Sequence, residues 1–171
     1  MRKKEAVVIG ILGWAGLILV GLTGCDTRTA TATPPREKAG AAQLGYTKKL
    51  SGVKDISAAV TLVKSALKAK GFGIITQINV QAVMKKKLGV DGKPYWILGA
   101  CNPRLAHKAL SADRFMGLLL PCKVIVFEAD DGSFLVSFLR PQALFSLVKN
   151  PQLAGLALQV DARMKAAYDA L

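Results

Sequence analysis

Histidine, cysteine, aromatic and acidic residues are all scarce in this chain of 171 residues. One histidine and three cysteines exclude a protein with several zinc sites and a dense disulfide scaffold. Aromatic residues make up 6% of the chain, too few for a platform that stacks single-stranded nucleic acid. The chain contains only 11 acidic residues but 24 lysines and arginines, which gives a net charge of +13. Since 51% of the residues are apolar, most of the chain is expected to fold, and its length allows one domain with a tail.

The N-terminus has the pattern of an export signal. Three cations at positions 2–4 precede an uncharged, largely apolar run of 18 residues at positions 6–23. This run ends in Leu22, Thr23, Gly24 and Cys25, which resemble the lipobox of bacterial lipoproteins. The resemblance implies that residues 1–24 are a signal peptide and that the Cys25 sulfur carries a diacylglyceryl group. Asp26 directly after the cysteine implies retention in the cell envelope, at the periplasmic face of the inner membrane.

An uncleaved transmembrane helix is the alternative for positions 6–23, because 18 apolar residues reach the lower limit for a membrane span. Either interpretation places the rest of the chain outside the cytoplasm, since the cations lie on the N-terminal side. Cleavage before Cys25 removes three cations and one acid and leaves 21 against 10, a net charge of +11. Outside the cytoplasm this charge favours an anionic lipid surface, cell-wall polymers or an anionic small ligand, and not nucleic acid. A basic surface that only aids solubility is the other interpretation.

Residues 25–50 are predicted to be the lipidated cysteine and a flexible linker. This stretch is rich in Thr, Ala, Lys and Pro and has no helical or strand periodicity. The folded domain is predicted over residues 51–171. Its helices are marked by capping residues: Asp55 before the first helix, Asn79 before the second, and the Asn-Pro pairs that begin at Asn102 and Asn150 before the third and the last.

Four strands are predicted from β-branched and aromatic residues, at positions 72–78, 95–101, 122–129 and 133–139. The third of these is apolar on both faces. Val124 and Val126 point to one face, and Ile125 and Phe127 point to the other. A helix layer covers only one face of an antiparallel sheet, so the other needs a further helix or a partner subunit. We therefore expect an α+β fold, a two-layer domain of about four mainly antiparallel strands with helices packed on the sheet, and a homodimer.

The middle of the chain resembles a known family. The residues that carry the resemblance are Lys70-Gly71-Phe72, Cys101-Asn102-Pro103 with Ala106 and Leu110, Leu120-Pro121-Cys122, and Asp131-Gly132. In this order they are similar to the domain of unknown function 302 family over residues 51–165. The resemblance implies a small α+β fold and often a dimer, and it implies no established reaction.

Cys101 and Cys122 are the free thiols that remain if Cys25 is lipidated. They could form a disulfide where two antiparallel strands end at one edge. Cys101 could instead be a reactive thiol, because the helix N-terminus that follows it favours a thiolate. Both could also be buried, reduced and inert. Cys122 shares a side with Val124 and is expected to be the more buried of the two.

Two further residues near this stretch could take part in a site. His107 could join Cys101 and Cys122 as a third metal ligand, and a surface histidine on a helix is the alternative. Gly99 interrupts an apolar strand, which is typical of a close approach by a ligand or by another backbone. With the helix start at Asn102 it could form a corner that binds an anion or a carbonyl. The chain has no nucleophile elbow and no phosphate-binding glycine loop.

The sequence thus predicts a lipid-anchored extracytoplasmic domain that binds a small ligand without turnover. The site is predicted to be lined by Gly99, Cys101, Asn102, Arg104, His107 and Cys122, and no cofactor or metal is assigned. Whether a reaction is catalysed stays open, because a thiol- or metal-dependent redox protein that uses the two cysteines, with or without the histidine, is the alternative. A second alternative is a structural module of the envelope that acts through its basic surface, which includes Lys85, Lys86 and Lys87.

Overall fold

A computed structural model of the chain describes residues 44–171. The signal sequence, Cys25 and most of the predicted linker lie outside the described residues. One antiparallel sheet holds five strands in the order β1-β5-β4-β3-β2. The strands are β1 Gly45–Lys49, β2 Gly73–Asn79, β3 Tyr95–Cys101, β4 Cys122–Glu128 and β5 Phe134–Leu139. The predicted α+β fold is confirmed, with one strand more than expected.

The described residues contain five α-helices and two 3-10 helices, and the last three of these seven follow the last strand. Within residues 44–171, none of the helices combines the length and the apolar character that crossing a bilayer requires. The α-helices are α1 Ile56–Ala69, α2 Val80–Leu88, α3 Pro103–Ala112, α4 Pro141–Phe145 and α5 Ala154–Asp169, and the 3-10 helices are Arg114–Leu118 and Pro151–Leu153.

The predicted caps hold the helix starts. The side chains of Asp55, Asn79 and Asn102 each accept a hydrogen bond from the backbone N–H three residues later, at 2.8, 2.9 and 3.2 Å. Asn150 also caps, but it accepts from the Gln152 N–H and begins a 3-10 turn that leads into α5. Such caps satisfy N–H groups that a helix leaves unpaired at its start.

The hydrophobic core lies between α1, α5 and one face of the sheet. Apolar side chains recur at helical spacing on both helices and at every second position of the central strands, which brings them to one layer. The buried members of this layer include Val60, Val63, Leu67, Leu98, Val124, Val126, Val136, Phe138, Val160 and Met164. The opposite face carries the intervening residues, among them Ile97, Ile125, Phe127 and Leu135, which are half-buried. We call it the open face.

Because strand β1 is part of the sheet, the folded domain includes residues from Gly45 onward and not only from the predicted Ser51. It pairs along its whole length with β5, and Leu50 directly after it is buried. The Tyr46 hydroxyl donates a hydrogen bond of 2.8 Å to Asp161 of α5. The Arg140 guanidinium lies 4.5 Å from the centre of the Tyr46 ring. These contacts fix the edge strand to the helix layer.

Different strand ends and connections lie at the two ends of the sheet. At one end β1 begins and β5 finishes, since Gly45 pairs with Leu139. The register of Ala100 with Cys122 places the end of β3 and the start of β4 at the same end. We call this the entry end, because the chain that precedes Leu44 joins the sheet there. The opposite end, the turn end, holds the β4–β5 hairpin and α2.

Strand β2 forms the second edge of the sheet and is irregular. Its register with β3 shifts between Ile74 and Thr76, so Ile75 bulges out and is exposed. A groove of about 380 Å³ runs along this edge, and Lys64 and Lys68 of α1 line it. A bulge of this kind interrupts the row of backbone groups that an edge strand offers to another chain.

Candidate functional site

Three of the six predicted site residues line one internal cavity at the entry end. The cavity has a volume of about 20 Å³ and lies among β3, β4, α3 and α5. Cys101, Asn102 and Cys122 contribute to its wall. The remaining wall is apolar and consists of Phe72, Ala100, Leu105, Ala106, Ala109, Leu120, Phe145 and Val160. Such a volume is sufficient for about one water molecule.

Both thiols are free, and burial keeps them protonated. Cys122 is 7% exposed and Cys101 is half-buried, which confirms the predicted order of burial. Burial raises the pKa of Cys101, and burial together with the neighbouring Cys101 raises the pKa of Cys122 to about 11. Loss of water around a thiolate therefore outweighs the favourable field of the helix that begins after Cys101. Near neutral pH both thiols are neutral and poorly nucleophilic.

Asn102 uses both ends of its amide to hold the cavity wall. Its carbonyl oxygen accepts from the Leu105 N–H, and its Nδ2 donates to the Gly71 carbonyl at 2.9 Å. Gly71 has a left-handed backbone with φ of 81°, which favours glycine, and a Cβ there would lie 3.1 Å from Asn102 Nδ2. Asn102 thus joins the end of α1 to the start of α3, and its polar atoms are already bonded within the protein.

Gly99 lies away from the cavity, on the open face. A Cβ at this position would collide with the hydroxyl of Thr76 on β2 and with the ring of Pro121, which follows a cis peptide bond. Side chains of the protein itself therefore account for the glycine. The structure does not bring it together with Cys101 and Cys122 in one pocket.

Arg104 and His107 are exposed on α3 and do not line the cavity. The helical period explains this: Leu105 and Ala109, four residues apart, point inward, and the polar residues between them point to water. In the part of the chain that the structure describes, no three His, Cys, Asp or Glu side chains converge on one point. The three-ligand set of His107 with the two cysteines is therefore not formed.

Phe145 is a wall residue that the sequence did not indicate. It ends the short helix α4 and is 8% exposed. It lines the internal cavity on one side and, on the other, an outer groove of about 320 Å³ whose wall also includes Leu153 and Ala157. It therefore lies between the cavity and this outer groove. The only local sequence signal for α4 is Pro141, which follows β5 and is the first residue of the helix.

The fold and this cavity together define a small two-layer α+β domain whose Asn-Pro helix start and Pro-Cys strand start meet at one internal pocket. The chain belongs to the family described as domain of unknown function DUF302, whose sequence model matches residues 46–171. A solved structure that is similar is the crystal structure of the uncharacterized conserved protein DUF302 from Bacillus stearothermophilus. It is 28% identical with a TM-score of 0.67, and the match covers 74% of this chain and 97% of that one. Among curated proteins, no match to this chain was found.

Proposed function

We propose that this protein is a lipid-anchored extracytoplasmic domain that binds a small apolar ligand in the cavity of Cys101 and Cys122, without turnover. The observation that supports this proposal is the cavity itself, which has a largely apolar wall and shares Phe145 with an outer groove. Arg104 and His107 lie outside it, so an anionic ligand would find no charge partner in its wall. An apolar ligand matches the lining.

The small cavity must widen to accept a ligand. Ligand pockets in proteins usually measure about 300–1,000 Å³, and this cavity of about 20 Å³ is far smaller. Displacement of the Phe145 ring would join it to the outer groove of about 320 Å³. Helix α4, which carries Phe145, has five residues and no side-chain hydrogen bond at its start. A short helix held in this way is the element best suited to move.

The cavity can be tested by filling it. Ala106 lines the cavity and is half-buried on α3, so Ala106→Leu places three further carbon atoms in a space that holds about one water molecule. We expect native mass spectrometry of the gently purified wild-type protein to show a retained small apolar molecule, and we expect Ala106→Leu to abolish the retention. Ala66→Leu is the matched control, because Ala66 is also half-buried on a helix but does not line the cavity. Wild-type protein that carries nothing, or Ala106→Leu protein that carries as much, contradicts the proposal.

A thiol-dependent redox function is the second candidate, and one observation favours it. Cys101 and Cys122 line the same cavity and lie on neighbouring antiparallel strands, although Cys122 is paired with Ala100 and not with Cys101 itself. The raised pKa of each thiol weighs against this candidate, because the thiolate is the reactive form.

We further propose that a second copy of this chain covers the open face of the sheet. Ile97, Ile125, Phe127 and Leu135 form a continuous apolar area across the three central strands, since they occupy paired positions. The Tyr95 and Phe127 rings stack there with centres 5.5 Å apart. The four side chains are uncharged, and the nearest cations on this face, Lys49 and Lys123, are exposed at its margin, where two copies related by a twofold axis can leave them in water.

A charge in the centre of the open face should prevent this association. Ile125→Lys is expected to convert a dimer into a monomer in size-exclusion chromatography with light scattering, because a lysine buried between two copies loses its hydration. Ile125 is half-buried in the single chain, so the lysine amine can still reach water in the monomer. Leu62→Lys, at an exposed leucine of α1, is the control and should leave the mass unchanged. A wild-type monomer, or a dimer that survives Ile125→Lys, would exclude this interface.

A further inference from the structure

The three most exposed large apolar side chains of residues 44–171 belong to two segments that adjoin the entry end and pack in one cluster through Met116, Phe145 and Val148. Leu118 is 84% exposed, Phe115 is 73% exposed and Leu147 is 71% exposed. Phe115 and Leu118 belong to the 3-10 helix that precedes β4, and Leu147 lies two residues after the end of α4. Leu44 is also exposed and lies at the same end. Its backbone carbonyl accepts a hydrogen bond of 2.8 Å from the Arg140 N–H, directly after β5. We call these four residues the entry-end surface.

The segments that carry this surface are strongly basic. Residues 103–119 and 140–153 hold five lysines and arginines and a single acid. That acid, Asp113, caps the 3-10 helix by accepting from the Phe115 N–H at 2.8 Å. Arg114 and Lys149 are exposed next to the apolar residues. Exposed apolar side chains flanked by cations are typical of a surface that lies in the interface of an anionic membrane.

The chain that leads to Cys25 joins the domain at this same end. Strand β1 begins at Gly45, opposite the last residue of β5, so residue 44 lies at the entry end. The predicted linker therefore reaches the domain at the end to which the segments of Phe115, Leu118 and Leu147 belong. Helix α2, which carries Lys85, Lys86 and Lys87, begins at the turn end, directly after the last residue of β2.

We infer that the entry-end surface docks on the anionic lipid bilayer that holds the protein, with Phe115, Leu118 and Leu147 inserted among the headgroups. The inference rests on the proposed lipid anchor for the identity of its partner. The docking itself does not require the lipid, so the two are separable in experiment. It also assigns the contact to the entry end and not to the cluster of Lys85, Lys86 and Lys87.

The test uses the mature chain, residues 25–171, with Cys25→Ser so that no lipid contributes. Binding to vesicles of equal parts phosphatidylglycerol and phosphatidylcholine is measured by sedimentation. The double variant Phe115→Ser with Leu118→Ser is expected to bind about tenfold more weakly, because two large apolar side chains no longer leave water. Both side chains are exposed, so the fold does not depend on them. The matched control, Val83→Ser with Leu88→Ser, removes exposed apolar side chains from α2 and should change binding less than about twofold.

A second pair of variants tests the charges. Arg114→Gln with Lys149→Gln should weaken binding and make it less dependent on salt, because each cation near an anionic surface contributes to attraction that salt screens. A wild-type chain that does not bind these vesicles overturns the inference. So does a control pair in α2 whose loss weakens binding as much as loss of the entry-end pair. Mass analysis of Cys25 in the membrane-extracted protein tests the anchor separately.

Discussion

Replacing Cys25 by alanine is expected to leave an unprocessed precursor without a thioether-linked lipid. The lipobox resemblance predicts that the sulfur of Cys25 receives the diacylglyceryl group. Alanine offers no nucleophile in its place. Mass spectrometry of the protein extracted from the membrane fraction measures both changes at once, since the wild-type mass should lack residues 1–24 and gain the lipid. Two acyl chains are sufficient for stable anchoring, whereas a single chain is marginal.

Two further variants make this result specific. Cys101→Ala removes a thiol from the folded domain and should leave processing and lipidation unchanged. Gly24→Leu places a large side chain before the expected cleavage site, where the export pattern requires a small one, and should block cleavage. A Cys25→Ala protein that is cut and lipidated like the wild type would refute the lipoprotein prediction. A wild-type protein that retains residues 1–24 would favour the uncleaved transmembrane helix.

The two thiols of the domain should react slowly and unequally with iodoacetamide in the native state. A pKa of about 11 for Cys122, against an ordinary value near 9, lowers its thiolate fraction near pH 8 about 100-fold, and burial slows access further. Cys101 is half-buried with a raised pKa, so it should react before Cys122 but more slowly than free cysteine. The rate at each thiol should rise about tenfold per pH unit until its pKa is reached, because only the thiolate attacks.

Mass spectrometry of labelled peptides, with and without reductant and in denaturant, distinguishes the candidate functions. Neutral thiols should be labelled in the same order whether or not reductant is present, and both should react quickly once the domain is unfolded. Labelling that begins only after reduction would show a disulfide between Cys101 and Cys122. Native labelling of Cys101 faster than free cysteine would contradict ligand binding without turnover and favour thiol chemistry. Labelling of Cys122 ahead of Cys101 would contradict the order of burial.

The helix caps and four of the strands could be predicted because their signals are local. Asp55, Asn79 and Asn102 each act on a backbone group three residues away, and the hairpin strands are joined by a short turn. Strand β1 could not be predicted in this way. It has few apolar residues because it lies at an edge, and it is stabilised by β5, about 90 residues away in sequence, as the bond between Thr47 and Ser137 shows. Its polar composition therefore resembles that of a linker.

The residues of the candidate site also differ in whether local sequence signals predict their positions. Cys101, Asn102 and Cys122 flank strand ends that pair directly, so proximity in the sheet follows from the strand prediction. Arg104 and His107 are close to these residues in sequence, but the helical period turns them outward. Phe145 reaches the cavity through the packing of α4 against α5, a contact that depends on the tertiary structure and has no periodic signal in five residues.

The bulge at Ile75 has a consequence for the dimer that we propose. Proteins anchored in a bilayer are confined to two dimensions, where the local concentration of like neighbours is high. Pairing through sheet edges has no natural end, since each added copy offers a fresh edge and the result is a growing ribbon. The bulge interrupts the row of backbone hydrogen-bonding groups on β2, and Lys48 and Lys49 place charge along β1. Both features oppose growth in the plane of the sheet, whereas the association that we propose through the open face would close after two copies.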